Sequence, residues 1–214
     1  TLHGVGGHGS MPQVTVDPVV MGARSVMAYQ TIVSRNVDPQ KPAVLTVGAS
    51  QIGEANNVIS ETGVLKLNLR WYEKSVRDQM IEAIKRETNG IARAAGVADD
   101  NMPEDPFKGY SEPVYNDEAL ARHAQGLLAD GLGKDALMPG FPPVMGSEDF
   151  PMLVAGIEDT KTLFMEVGGG PADVVKTYMA TGKLPPMNHN PKFEIIEPRR
   201  VITTAVKANS LLLL

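Results

Sequence analysis

Residues 64–72, Val-Leu-Lys-Leu-Asn-Leu-Arg-Trp-Tyr, narrow most what this chain can fold into. Leu65, Leu67, Leu69 and Trp71 fall on one side of an extended chain, and Lys66, Asn68 and Arg70 on the other. A period of two with this contrast predicts a strand with one face in a core and one face wet. A second alternating segment, Ala43–Ile52, sets Leu45, Val47 and Ala49 against Thr46, Gly48 and Ser50. Two such strands commit the first half of the chain to a sheet.

Helix signals flank them. Asp17-Pro18 is a helix start, an N-cap acid followed by proline at the first helical position. Behind it Val19, Ala23, Val26, Met27 and Val33 are expected to form the buried face, ending in residues 36–42. Ser75 with Asp78 predicts a capping-box start for a second helix, striped by Val76, Met80, Ile84, Thr88, Ile91 and Ala95 and stopped at Gly96. A last extended segment is expected near residues 107–114. With a first strand at the start of the chain, the order is β-α-β-β-α-β, the split βαβ pattern of a ferredoxin-like sandwich.

The second half differs. A helix is expected over residues 116–132, a Pro/Gly-rich stretch over 138–146, a short helix opening at Ser147-Glu148-Asp149-Phe150, and a buried strand over 162–167. An irregular passage then leads through Asn188-His189-Asn190-Pro191 to a terminal helix near Pro198. These are too few strands for an α/β domain of its own. The predicted domains are therefore 1–115 and 116–214.

The 214 residues are 43% hydrophobic, enough for a sizeable core, and carry a net charge of -5 with no cysteine. The acidic balance and the lack of a basic patch argue against a nucleic-acid partner. Without cysteine there is no thiolate metal site and no cysteine nucleophile. Leu211 to Leu214 is far shorter than a membrane span, so no membrane partner is expected. A cytoplasmic location is the expectation, with a targeting peptide left open because the chain starts inside a motif. Gly4, Gly6 and Gly9 spell G-x-G-x-x-G, but only Thr1 to His3 precede them and no helix opens directly behind. A dinucleotide site needs both, so the loop is read as a mount for His8.

Four spots carry chemistry: His8, Asn57 with Arg70, Ser147 with Glu148, and His189. Each also has a plain structural reading, as a solvated loop histidine, a charged wet face, an N-capped turn and a turn residue. An imidazole can ligate zinc, and an arginine beside an amide suits a carboxylate. A loop histidine can donate to a developing oxyanion.

Their order along the chain resembles a known family. Gly6-Gly7-His8-Gly9-Ser10-Met11-Pro12, Asp17-Pro18, Ser34-Arg35, Asp38-Pro39, Asn56-Asn57-Val58-Ile59, Arg70, Pro113-Val114-Tyr115-Asn116-Asp117, Gly146-Ser147-Glu148-Asp149-Phe150 and His189-Asn190-Pro191-Lys192-Phe193 are similar to segments of the zinc-dependent amidohydrolases and exopeptidases. The branch is that of hippurate hydrolase, N-acyl-amino-acid amidohydrolases and auxin-conjugate hydrolases. Gln13 stands where that branch usually has histidine and Ser60 where it has proline, and residues 171–187 form a longer passage than the family's.

The resemblance implies a ferredoxin-like lid and dimerisation domain followed by the closing part of an α/β di-zinc catalytic domain. The N-terminal half, with most metal ligands and the glutamate base, would lie outside these residues. It further implies His8 as the catalytic oxyanion donor to a partner subunit's site, and Asn57, Arg70, Ser147 and Glu148 as substrate-binding residues. His189 would be a metal ligand. The cofactors would be two zinc or manganese ions in the complete enzyme, the substrate an N-acyl amino acid or small peptide, and the assembly a homodimer through the lid. The alternative is a non-catalytic lid or dimerisation module.

Overall fold

The computed structural model describes all residues except 139–141, 171, 184, 185, 187 and 214. The chain divides into two compact units, Thr1–Pro113 with Val144–Pro151, and Val114–Pro143 with Met152–Leu214.

The first unit runs β1 (Leu2–His3), β2 (Gly7–His8), α1 (Pro18–Thr31), β3 (Ala43–Ile52), β4 (Val58–Ile59), β5 (Thr62–Trp71) and α2 (Lys74–Ala94). Both long strands form where the alternation predicts. They pair antiparallel, with Val44 opposite Arg70 and Thr46 opposite Asn68, and the register slips between Val47 and Ala49. β1 joins the other side of β5, giving the order β1-β5-β3, while β2 and β4 form a separate two-stranded sheet.

The extended segment expected near residues 107–114 joins neither sheet. The chain instead meets the first strand at one point: the Thr1 amino group donates to the Glu104 carbonyl at 2.6 Å and the Glu104 N–H returns a bond to Thr1 at 3.1 Å. Pro103 and Pro106 flank this contact, and proline has no N–H to extend a ladder.

The apolar faces of the strands lie where expected. Leu65, Leu67, Leu69, Trp71, Leu45 and Val47 pack against Tyr29, Ile32, Val37, Val76, Met80, Ala83 and Ile84. A second cluster gathers Leu2, Met21, Ala92 and Val97. The face expected for α1 is wrong. Val19 and Met27 are 48% and 70% exposed, and the buried side is Pro18, Met21, Gly22, Ser25 and Tyr29. Apolar residues surround this helix, so hydrophobicity alone did not choose the face; Gly22 lets the helix come close to the sheet, where a Cβ would meet the Ile52 side chain. Asp17 does cap it, accepting the Val19 N–H at 2.8 Å.

α2 starts two residues earlier than the Ser75 box implies, with Glu73 as N-cap and no side-chain cap. Asp78 is occupied by Arg77, whose Nη2 lies 2.7 Å away. The C-terminus forms as predicted. Gly96 takes φ +85°, its N–H bonds the Arg93 carbonyl, and the Val97 N–H reaches back to Ala92, both at 3.0 Å. This is the Schellman arrangement, which only glycine enters without strain.

The second unit contains α3 (Glu118–Leu132), α4 (Ala172–Thr181) and α5 (Pro198–Leu213). Asp117 caps α3 through the Leu120 N–H at 2.8 Å. α4 falls in the passage read as irregular, part of which, at 171, 184, 185 and 187, lies outside the described residues, as do residues 139–141 of the Pro/Gly-rich stretch. The strand expected over 162–167 is absent. The Asn116 side chain does a strand's work there, accepting the Phe164 N–H at 2.7 Å and donating to its carbonyl at 3.0 Å. Among the described residues no helix is long and apolar enough to cross a membrane.

Candidate functional site

His8 is held by its neighbours. It stands opposite Val58 in the β2–β4 pair, and the next N–H, of Gly9, donates to the Asn57 carbonyl at 2.8 Å. A Cβ on Gly9 would come within 3.1 Å of that carbonyl, so glycine here permits close approach of two backbones. The loop is also tied by the Gly4 N–H to Glu61 at 2.8 Å and by paired bonds between Val5 and Val16.

Nδ1 of His8 accepts the Ser10 N–H at 3.2 Å, and the Ser10 hydroxyl lies 2.7 Å from the same nitrogen. A nitrogen that accepts an amide proton is unprotonated. In the neutral ring the proton therefore sits on Nε2, which becomes a hydrogen-bond donor. The side chain itself is exposed.

Asn57 lies in the turn before β4 and not on a strand, and its backbone belongs to the His8 loop. The amide that Arg70 meets is that of Asn68. Arg70 Nε donates to Asn68 Oδ1 at 2.7 Å, while its Nη1 is buried with no partner among the described residues. A buried guanidinium nitrogen without an acceptor is unfavourable, and Trp71 Nε1 and Ser25 Oγ are likewise buried without a partner among the described residues.

Ser147 and Glu148 are exposed and precede the helical turn over Phe150–Leu153, which starts later than expected. Their segment is fastened to the first unit at both ends. The Tyr72 hydroxyl donates to the Val144 carbonyl at 2.7 Å, and the Ser111 hydroxyl donates to the Glu148 carbonyl. Tyr72 and Ser111 escaped the sequence reading, although Tyr72 shares the parity of Asn68 and Arg70.

His189 belongs to the second unit, exposed, immediately before a turn closed by the Phe193 N–H to the Asn190 carbonyl at 2.9 Å. Its φ of +69° lies in the left-handed region, which histidine enters more readily than most residues. Among the described residues no group of three or more His, Asp or Glu is placed to hold a metal ion. The structure thus joins His8 to the Asn57 turn and Arg70 to Asn68, and among the described residues His189 belongs to no group of three or more metal-ligating side chains.

No family model matches the chain. It is 31% identical over 206 residues to the candidate amidohydrolase YhaA of Bacillus subtilis (strain 168), covering 96% of this chain and 48% of that protein. It is 35% identical over 149 residues to hippurate hydrolase of Campylobacter jejuni, covering 69% and 37%, and 32% identical over 152 residues to an Arabidopsis thaliana IAA-amino acid hydrolase, covering 70% and 34%. The chain is homologous to these amidohydrolases.

It spans less than half the length of these curated relatives. Among solved structures, a candidate aminohydrolase from methicillin-resistant Staphylococcus aureus matches this amidohydrolase homologue with TM-score 0.57 at 24% identity, covering 98% of the chain and 50% of its own. A Staphylococcus aureus tripeptidase matches with TM-score 0.54 at 18% identity, covering 71% and 38%. At these identities the likeness concerns the fold: a mixed α/β architecture with small sheets.

Proposed function

We propose that this chain is the lid and the closing catalytic segment of a metal-dependent hydrolase acting on the amide bond of N-acyl amino acids or small peptides. The observation that carries the reading is Arg70, withdrawn on the wet face of β5 with one buried nitrogen lacking an acceptor. A substrate carboxylate would supply the missing acceptor and match the charge.

The first unit is read as the ferredoxin-like lid, its β1-β5-β3 order matching three of that fold's four strands. The second is read as the end of the catalytic domain. Arg70 grips the substrate carboxylate, with Asn57, Ser147 and Glu148 contributing polar contacts. His8, protonated on Nε2, donates to the oxyanion that develops on the scissile carbonyl, in the site of a partner subunit.

Two features support a homodimer through the lid. β3 has β5 as its only sheet neighbour among the described residues, and its ten residues carry no charge or proline to protect the free edge. α1 meanwhile turns Val19, Val20 and Met27 outward. His189 is proposed as a ligand for zinc or manganese. A catalytic centre needs about three protein ligands, and the described residues do not assemble them. No step of the proposal therefore runs through a metal ion.

The test is release of free amino acid from a panel of N-acyl amino acids. Turnover that falls about 100-fold or more in His8→Ala supports the oxyanion role, and an increased KM in Arg70→Ala supports the clamp. A chain that dimerises but neither binds nor hydrolyses the panel is the non-catalytic lid module.

A further inference from the structure

We infer that Asn68 is a positioning residue, whose side-chain amide aims the Arg70 guanidinium at a carboxylate while leaving its charge intact. The inference rests on reading Arg70 as the substrate clamp.

Arginines elsewhere show the contrast. Of the nine in the chain, Arg70 and Arg77 alone are drawn in from solvent, and the others are exposed. Arg77 is neutralised: Asp78 Oδ1 takes its Nε at 2.9 Å and its Nη2 at 2.7 Å. That pairing, above all its hydrogen bonds, raises the pKa of Arg77. Its guanidinium also lies 5.8 Å from the Trp71 ring centroid and 5.3 Å from that of Tyr110. Every sign there is of a structural arginine.

Arg70 has none of these partners. No carboxylate among the described residues forms an ion pair with it. Its one side-chain bond is from Nε to the neutral Asn68 Oδ1. Because Nε can only donate, the acceptor must be the amide oxygen, which settles the orientation of the Asn68 amide. Fixing Nε fixes the plane of the guanidinium, and with it the direction of the Nη donors. An aspartate at position 68 would hold Nε more strongly, but its charge would cancel the one needed for a ligand.

The placement has a cost that a merely structural residue would not require. Asparagine is among the residues least suited to strands, yet Asn68 sits in the middle of β5, opposite Thr46. Spacing makes the contact possible, since residues two apart on a strand share a face. The ligand class follows: a free α-carboxylate, in preference to the uncharged carboxamide of the same compound.

The experiment titrates the 214-residue chain with N-benzoylglycine and with N-benzoylglycinamide, and follows the Arg70 Nε–Hε cross-peak by ¹H–¹⁵N NMR. Wild type is expected to bind the acid about tenfold or more tighter than the amide. Asn68→Ala should broaden the Nε–Hε signal and weaken acid binding by about tenfold, with amide binding unchanged. Asn68→Asp, nearly isosteric, should keep the signal sharp yet lose the preference for the acid. That last pattern separates aiming from simple structural support, which aspartate would satisfy.

If Arg70→Ala retains the acid preference, or wild type has none, the clamp itself falls and Asn68 with it. If Arg70→Ala loses the preference while both Asn68 variants keep it, the clamp stands and the role given to Asn68 is wrong.

Discussion

The two units differ in how much they bury. Of the fourteen buried hydrophobic residues described, eleven lie in the first unit, and the second holds Ala124, Leu128 and Ala208. In the first, a sheet face of leucines and a tryptophan meets two helices. In the second, α5 leaves Ile202, Val206 and Leu213 at 64%, 60% and 87% exposure. Hydrophobic burial is the main favourable term in folding. The first unit therefore holds the larger share of that stabilisation, and the second leaves more apolar surface in contact with water.

Substitutions can break this contrast or sharpen it. The largest effect is expected from Met80→Ala, at a fully buried position, which should destabilise the first unit by about 2–5 kcal/mol. Trp71, the only tryptophan, packs on the same cluster, so its fluorescence in a urea titration reports that unit. Helices of the second unit, followed by amide exchange, should not respond. A joint loss would show that the two units unfold as one.

Leu128→Ala is the reciprocal test. It should remove about 2–3 kcal/mol from the second unit, enough to strip most exchange protection from α3 and α5, while the Trp71 transition stays in place. Gly96→Ala forces a Cβ onto φ +85° and should lower the midpoint of the first unit by about 1–2 kcal/mol, again without effect on α3.

The smallest effect concerns Lys41 and Glu73, 2.6 Å apart and exposed. The hydrogen bond from Lys41 lowers the Glu73 pKa and raises that of Lys41. Because the carboxyl is depressed on folding, its contribution is present above the ordinary carboxylate range and lost as pH falls through the lowered value. The midpoints of wild type and Glu73→Gln should differ slightly at pH 7 and converge in acid.

Much of the first unit was legible because its two long strands alternate cleanly and its turns use residues with one physical meaning, such as Gly96. α1 was misread because Val19, Val20 and Met27 put apolar residues on its outward side as well. The strand expected at 162–167 failed because the Phe164 backbone bonds the Asn116 side chain, which no periodicity records, while Thr162 bonds the backbone of Tyr115 and Asp117. At the candidate site, residue types were readable but partners were not. Arg70 stood out as a cation on a wet face, whereas its pairing with Asn68 depends on a rotamer. The Asn57 turn beside His8 depends on a backbone contact that crosses about fifty residues.

The fastening of residues 144–151 to the first unit has a consequence for how the protein is made. Those residues are separated from Pro113 by a stretch that belongs to the other unit. A ribosome adding about 5–20 residues per second finishes Tyr72 and Ser111 seconds before it releases Val144 and Glu148. During that interval the Tyr72 and Ser111 hydroxyls have not yet met the Val144 and Glu148 carbonyls. The strand carrying Arg70 is thus made first, and the segment holding Ser147 and Glu148 joins it only after synthesis of the second unit has begun.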